Sequence, residues 1–168
     1  MTPIDRLIVA LDLPPPEAEF VFFRLNRELG LTWFKIGVAT LINYSGRILI
    51  ENMRRDGAKI MLDLKVYDIG STVERVVREA SAMGAELLTV HVDSVKAAVE
   101  SSNKLARPAI LAVGGLTTNA ADRRLDGYAG YRSDGIICHP RLVQRYRDAW
   151  GNGKLLVCPG VRLQVQQS

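Results

Sequence analysis

Three charged side chains lie close together in the stretch LDLKVYDIG, residues Leu62 to Gly70. Asp63, Lys65 and Asp68 alternate in charge and follow an apolar run that is typical of a buried strand. A fixed ammonium beside a carboxylate can stabilise negative charge that develops on a substrate, and it can deliver a proton. In a regular strand, residues two apart point to the same side, so Asp63 and Lys65 are expected to face one site. A solvated turn that happens to be charged is the alternative interpretation.

The elements that position these residues can be read from an alternation of apolar and helical segments. Short apolar runs, many of them β-branched, predict seven strands. These runs are Leu7–Leu11, Trp33–Ile36, Lys59–Leu62, Leu87–Val92, Ala109–Val113, Gly135–Cys138 and Leu155–Cys158. Helical spacing predicts helices from the proline run 14–16 to Leu29, from Thr40 to Arg55, and from a cap at Ser71–Thr72 to Met83. Each of these helical runs is followed by a glycine that is expected to end it, namely Gly30, Gly57 and Gly84.

A repeating βα unit with near-continuous apolar strands predicts a parallel sheet covered by helices. The doubly wound sheet and the (β/α)8 barrel are the two architectures open to such a chain. No GxGxxG follows the first strand, which removes support from the dinucleotide-binding form of the doubly wound sheet. Polar groups end several predicted strands, as they do at the functional face of a barrel. These groups are Asp12, Lys35, Asp63, Lys65, His91, Asp93, Thr117 and Thr118. We therefore predict an α/β fold of the TIM-type (β/α)8 barrel class, with about seven βα units present.

The composition limits the class of protein and of partner. A chain of 168 residues with 48% hydrophobic residues is expected to form one domain. The net charge of +4 permits an anionic ligand, but the basic residues form no run with interleaved aromatics, so we expect no nucleic acid partner. Cys138 and Cys158 form no CxxC, which disfavours a zinc site and favours reduced thiols in a cytoplasmic protein. Neither an 18-residue apolar segment nor an export signal is recognisable, so we expect no membrane association.

Six short motifs, in this order, resemble the orotidine 5'-phosphate decarboxylase family. They are IVALDL, FKIG, LDLKVYDIGSTV, TVH, LTT and CPGVR, and they span Arg6 to Arg162. Hexulose-phosphate synthase and keto-gulonate-phosphate decarboxylase are related sugar-phosphate enzymes that share DxKxxD and use magnesium. Those enzymes carry an acid where this chain has Lys35, so Lys35 favours the orotidylate branch.

The resemblance implies decarboxylation of orotidine 5'-phosphate to uridine 5'-phosphate, in pyrimidine biosynthesis, without a metal or other cofactor. It implies a charged tetrad of Lys35, Asp63, Lys65 and Asp68, with Lys65 as the proton donor to C6. The implied substrate-binding residues are Asp12 at the ribose hydroxyls, Ile69 and Pro159 along the base, Thr118 at the pyrimidine, Thr72 and Arg162. A homodimer is also implied, in which Asp68 and Thr72 reach into the neighbouring subunit's site.

The resemblance also shows what this sequence does not contain. A (β/α)8 barrel typically takes about 250 residues, and the family's eighth strand, whose Gly-Arg pair holds the substrate phosphate, has no counterpart here. The segment Thr118 to Ser133 is short for a covering helix. We therefore expect a single barrel domain over residues 1–168 that lacks the eighth strand and its phosphate-binding element.

Two hypotheses of different classes follow from these observations. The first is a cytoplasmic, dimeric and cofactor-free orotidylate decarboxylase. The second is a non-catalytic or weakly active barrel relative that binds another nucleotide or a sugar phosphate. The presence of all four tetrad residues favours the first hypothesis, whereas the missing phosphate element favours the second.

Overall fold

The computed structural model describes residues 3–105, 108–114 and 132–161. Within these ranges, seven strands alternate with helices. The strands are β1 (Ile8–Ala10), β2 (Trp33–Gly37), β3 (Lys59–Val66), β4 (Leu87–His91), β5 (Ala109–Val113), β6 (Gly135–Ile137) and β7 (Leu155–Val157). The α-helices are α1 (Pro15–Leu29), α2 (Val38–Leu41), α3 (Gly46–Arg55), α4 (Gly70–Ala82), α5 (Val95–Leu105) and α6 (Val143–Trp150). Short 3-10 helices cover Ile4–Arg6, Val92–Ser94 and Pro140–Leu142.

Each strand pairs in parallel with the next strand along the chain, in the order β1 to β7. A doubly wound sheet reverses its strand order at a switch point, whereas a barrel keeps the sequential order. The observed order therefore confirms the predicted barrel class. No described strand pairs with the outer edge of β1 or of β7, so this part of the chain forms an open, curled sheet.

Two apolar clusters cover the two faces of the sheet. The larger cluster joins strand residues such as Phe34 and Ile60 to helix residues such as Phe22 and Val77, all of them fully buried. The smaller cluster consists of strand residues alone. Its buried members are Met61, Leu87, Leu111, Val113 and Ile137. Helices pack on one face only, so the other face forms the interior of the barrel. Packing on both faces holds the strands, and therefore their ends, in place.

The helix boundaries confirm part of the sequence-based prediction. Helix α1 ends at Leu29, as predicted. The glycines after α1, α3 and α4 adopt left-handed conformations, with φ of +66° at Gly30, +82° at Gly57 and +69° at Gly84. These values are the ones that favour glycine at helix ends.

Two predictions about helices were wrong. The predicted helix from Thr40 to Arg55 is divided into α2 and α3 by a turn, in which the Asn43 side chain accepts the backbone N–H of Ser45 at 3.2 Å and the Asn43 carbonyl accepts that of Gly46 at 2.9 Å. A Cβ atom at Gly46 would lie 2.1 Å from the Thr40 carbonyl oxygen, so only glycine permits this close turn. The predicted cap at Ser71–Thr72 is also wrong, since both residues lie inside α4.

None of the helices that the structure describes is long and apolar enough to cross a membrane.

Candidate active site

Four charged side chains meet at the C-terminal ends of the first three strands. The Lys35 ammonium on β2 donates to Asp12 Oδ1 at 2.7 Å and lies 3.5 Å from Asp63 Oδ2. The Lys65 ammonium on β3 donates to Asp63 Oδ1 at 2.7 Å. These four residues, which we call the ion cluster, carry two positive and two negative charges. The cluster is therefore neutral overall, although every member is ionisable.

The ion cluster has an inner and an outer pair. The side chains of Lys35 and Asp63 are 19% and 16% exposed, whereas those of Lys65 and Asp12 are 48% and 62% exposed. Interactions between mostly buried charges are screened less by salt than those at the surface. The inner pair thus supplies a fixed electrostatic environment, and the outer pair is accessible to a ligand that enters from the strand ends.

A backbone irregularity directs the Lys65 side chain. Lys65 has φ of +47° and is the one non-glycine with positive φ in the described ranges. The pairing of β3 with β4 shifts register between Leu62 and Val66, which is the behaviour of a β-bulge. Asp63 and Lys65 nevertheless face the same side, as the sequence predicted, since their side chains are in contact at 2.7 Å while Leu64 packs against the larger apolar cluster. The left-handed conformation costs a residue with a side chain roughly 1–2 kcal/mol.

The hydroxyl of Thr89 on β4 connects the Asp63 carboxylate to the backbone of Lys65. It donates to Asp63 Oδ1 at 2.9 Å and accepts the backbone N–H of Lys65 at 2.9 Å. Thr89 is fully buried, so these bonds satisfy a hydroxyl that would otherwise be costly to bury. Sequence reasoning missed the role of Thr89, although a lone hydroxyl in the apolar run Leu87 to Val90 was the available signal.

Gly37 is a second residue whose role the sequence reasoning missed. A Cβ atom at this position would lie 3.1 Å from Asp12 Oδ1 and 4.0 Å from Lys35 Nζ. A side chain would therefore crowd the ion pair between Asp12 and Lys35. The available signal was that a glycine ends β2 only two residues after Lys35.

The pKa of the Asp63 carboxyl is lowered. Burial, the largest single influence, acts to raise this pKa, but it is outweighed by several favourable interactions with the ionised form. These are the hydrogen bonds from Lys65 and Thr89 together with the positive charges of Lys65 and Lys35. Asp63 is therefore an anion at neutral pH.

Asp68 lies apart from the ion cluster. Its carboxylate accepts the backbone N–H of Ile69 at 2.7 Å, and its backbone N–H and carbonyl both bond to the Ser94 hydroxyl at 3.3 Å. Within the described part of one chain, Asp68 forms no ion pair with Lys65. Ile69 is 71% exposed, and Thr72 lies in the first turn of α4. One chain thus brings together three of the four predicted tetrad residues, and Asp12 completes the ion cluster.

Of the remaining predicted site residues, the structure describes only Pro159. Pro159 follows β7 and is exposed. Thr118 and Arg162 lie outside the described residues. His91 at the end of β4 contacts Asp93, with 3.2 Å between its Nδ1 and the carboxylate, and so has the partner expected of a satisfied polar residue. No group of three or more His, Cys, Asp or Glu residues able to hold a metal ion occurs in the described ranges.

Comparison with known proteins identifies relatives of this chain. The model of the orotidine 5'-phosphate decarboxylase / HUMPS family matches residues 5–168. The orotidine 5'-phosphate decarboxylase of Methylobacterium nodulans is 38% identical over 96% of this chain and 76% of its own length.

Two solved structures show the same architecture. The orotidine 5'-phosphate decarboxylase of Pyrococcus horikoshii has a TM-score of 0.75 at 20% identity, with 94% of this chain and 80% of that chain covered. The one from Lactobacillus acidophilus has a TM-score of 0.68 at 26% identity, with 94% and 82% covered. The fold of the described residues is thus that of these barrel proteins.

The backbone conformation of Lys65 can be tested by comparing two substitutions that both remove its ammonium. We expect Lys65→Gly to have a free energy of unfolding about 1 kcal/mol higher than that of Lys65→Ala, because glycine adopts positive φ without a steric penalty. Denaturant unfolding of the two variants measures this difference. Equal stabilities, or a more stable alanine variant, would contradict the bulge at this position.

The lowered pKa of Asp63 predicts a pH-dependent contribution to stability. Ionised Asp63 stabilises the folded protein above the pKa of the unfolded chain, about 3.9, and this contribution is lost as the pH falls through the lower folded-state pKa. The wild type should therefore exceed Asp63→Asn in free energy of unfolding at pH 7, and the difference should shrink in acid. Denaturant titrations at several pH values test this expectation, and a difference that grows in acid would refute it.

Proposed function

The chain belongs to the orotidine 5'-phosphate decarboxylase / HUMPS family, and on that basis we propose that it is a carboxy-lyase converting orotidine 5'-phosphate to uridine 5'-phosphate. The observation that carries the proposal is the contact of 2.7 Å between the Lys65 ammonium and the Asp63 carboxylate within a neutral cluster at the strand ends. Such a pair fits the charge changes that this decarboxylation requires.

The reaction places a demanding requirement on the site. The bond from C6 of the pyrimidine to the carboxylate breaks, CO2 leaves, and the electron pair remains on C6 as a vinyl carbanion with little delocalisation. Only interactions that strengthen as this charge appears can accelerate the step. A preorganised cation beside C6 is the most direct form of such an interaction.

Lys65 is proposed to serve as this cation and as the proton donor. Its side chain is about half exposed, so a ligand can reach it, and its backbone is fixed by the bond to Thr89. The ammonium stabilises the developing carbanion and then transfers a proton to C6, which leaves a neutral amine that solvent protonates again. Asp63 holds the Lys65 ammonium in place before the reaction through their contact of 2.7 Å.

Asp63 is proposed to act on the substrate as well as on Lys65. A substrate carboxylate bound near Lys65 would also lie near the Asp63 anion, and their repulsion would be relieved as CO2 departs. Lys35 offsets part of the negative charge, because its ammonium lies between the carboxylates of Asp12 and Asp63. The reaction as proposed uses only these side chains.

The proposed substrate contacts follow the arrangement of the exposed residues. Asp12 retains free acceptor capacity on an exposed carboxylate and can accept hydrogen bonds from the ribose hydroxyls. Ile69 and Pro159 present apolar surface to the base. Thr72, Thr118 and Arg162 are proposed as further substrate-binding residues by their match to the family motifs.

Asp68 is proposed to complete the tetrad in the site of a second subunit. Its carboxylate lies on the loop between β3 and α4, apart from Lys65 of its own chain. That loop exposes large apolar side chains, with Tyr67 69% and Ile69 71% exposed. Exposed apolar residues next to a charged loop are suited to contact with another chain. We therefore propose a homodimer in which Asp68 and Thr72 are shared across the interface.

Turnover should depend on Lys65 and not on a comparable lysine elsewhere on the same strand. We expect Lys65→Ala to lower the rate of decarboxylation by at least about 10³-fold, since it removes both the cation and the proton donor. The ultraviolet absorbance change on conversion of orotidine 5'-phosphate measures the rate. Lys59→Ala is the matched control, because Lys59 lies at the opposite end of β3 against Trp33. Absence of turnover by a folded, dimeric wild type would instead favour the weakly active relative.

The shared site predicts complementation between two inactive variants. A mixed dimer of Lys65→Ala and Asp68→Ala chains contains one site with both substitutions and one site with none. Random reassortment of equal amounts should therefore restore about a quarter of the wild-type activity. Mixing after dissociation and reassociation, with each variant alone as the control, tests this arrangement. If no activity returns although mixed dimers form, Asp68 does not act across the interface.

A further inference from the structure

Two cysteines that the proposed reaction does not use lie side by side at the C-terminal edge of the sheet. Cys138 directly follows β6, and Cys158 directly follows β7. These strands are neighbours, with Ile137 opposite Val157 in the parallel register. The backbone N–H of Cys138 donates to the Val157 carbonyl at 3.0 Å, and the two sulfur atoms are 3.9 Å apart. The register therefore places the two thiols opposite each other.

The spacing of the two residues is compatible with a covalent bond between them. Neighbouring strands lie about 4.8 Å apart, and disulfides join residues whose Cα atoms are roughly 4.4–6.8 Å apart. The sulfur atoms have to approach from 3.9 Å to about 2.05 Å, a movement that side-chain rotation can supply. Both cysteines lie just beyond the ends of their strands, so the bond would join β6 and β7 at their C-terminal ends.

The two thiols differ in accessibility and in acidity. Cys138 is 2% exposed, whereas Cys158 is partly exposed. A hydrogen bond from the Cys138 thiol lowers the pKa of Cys158 to about 7 against the opposing effect of burial. The same hydrogen bond, together with burial, raises the pKa of Cys138. The less buried cysteine is thus the one that carries a substantial thiolate fraction near neutral pH, and thiolates are the reactive form.

A metal site is a less suitable interpretation of this pair. Structural zinc takes four protein ligands, and no third His, Cys, Asp or Glu joins the two cysteines among the residues that the structure describes. The neighbouring His139 directs its Nδ1 to the backbone N–H of Arg141 at 3.2 Å. Two thiols without further ligands are better suited to forming a bond with each other.

We propose that Cys138 and Cys158 form a reactive dithiol that a peroxide converts reversibly into an intramolecular disulfide. In the first step, the Cys158 thiolate attacks one oxygen of hydrogen peroxide, the O–O bond breaks, and a sulfenic acid and water result after protonation. In the second step, the Cys138 sulfur attacks the Cys158 sulfur, the S–O bond breaks, and the hydroxyl group leaves with the Cys138 proton as water. Two thiols and one peroxide thus give one disulfide and two waters.

Mass spectrometry of the folded full-length chain after limited hydrogen peroxide tests the proposal. The expected product is a monomeric mass lower by about 2 Da, restored by dithiothreitol, with Cys138 joined to Cys158 in the peptide map. This readout does not depend on decarboxylase activity, so it is separate from a test of the proposed reaction. Direct oxidation of Cys158 to the sulfinic acid while Cys138 stays a free thiol would overturn the proposal. Disulfides between chains, or two unreacted thiols, would overturn it equally.

Two single variants assign the order of events. In Cys138→Ser, the sulfenic acid on Cys158 has no partner, so dimedone should trap it. In Cys158→Ser, the buried Cys138 should remain unmodified under the same conditions. Reaction of Cys138 in this second variant at the wild-type rate would contradict the role of Cys158 as the attacking residue. The wild-type mass measurement stands even if either variant fails to fold.

Discussion

The Asp63 carboxylate is the group on which the candidate site depends. One oxygen accepts hydrogen bonds from Lys65 and Thr89, and the other faces Lys35, so a single side chain links β2, β3 and β4. A mostly buried carboxylate is tolerated only when it is paired and hydrogen-bonded. In return, it separates two ammonium groups that would otherwise repel each other. Removing Asp63 would therefore disturb both lysines at once, and with them the charge that the proposed reaction uses.

The parallel barrel makes this arrangement achievable because it places successive strand ends side by side. Side chains that are distant in sequence, such as those of Asp12 and Lys35, thereby come within 2.7 Å. The remaining adjustment is local, since the bulge gives a left-handed backbone to Lys65, the residue that the proposed reaction uses. Left-handed backbone at a residue with a long side chain persists only where the surroundings enforce it. Here the buried Thr89 hydroxyl supplies that constraint.

Much of the fold could be predicted from the sequence, because its determinants are local. Apolar runs marked all seven strands, and glycines marked the ends of three helices, where positive φ confirms them. The break at Asn43 was not foreseen, since helical spacing continues through a turn that side-chain and backbone hydrogen bonds of Asn43 form. The sequence also predicted that Asp63 and Lys65 face one site, and their contact of 2.7 Å confirms this. The link through Thr89 was not predicted. It depends on the register between β3 and β4, which no local sequence pattern encodes. The proposed place of Asp68 in the site of a second subunit stays a prediction.

The position of the pyrimidine relative to Lys65 is the central claim of this account. A crystal structure of the chain with bound uridine 5'-phosphate measures it directly, since the product retains the base, the ribose and the phosphate. We expect C6 to lie within about 3.5 Å of the Lys65 ammonium, with Asp63 on the side from which CO2 departs and Asp12 at the ribose hydroxyls. A nucleotide bound at the same edge with C6 turned away from Lys65, or bound elsewhere on the barrel, would contradict the account.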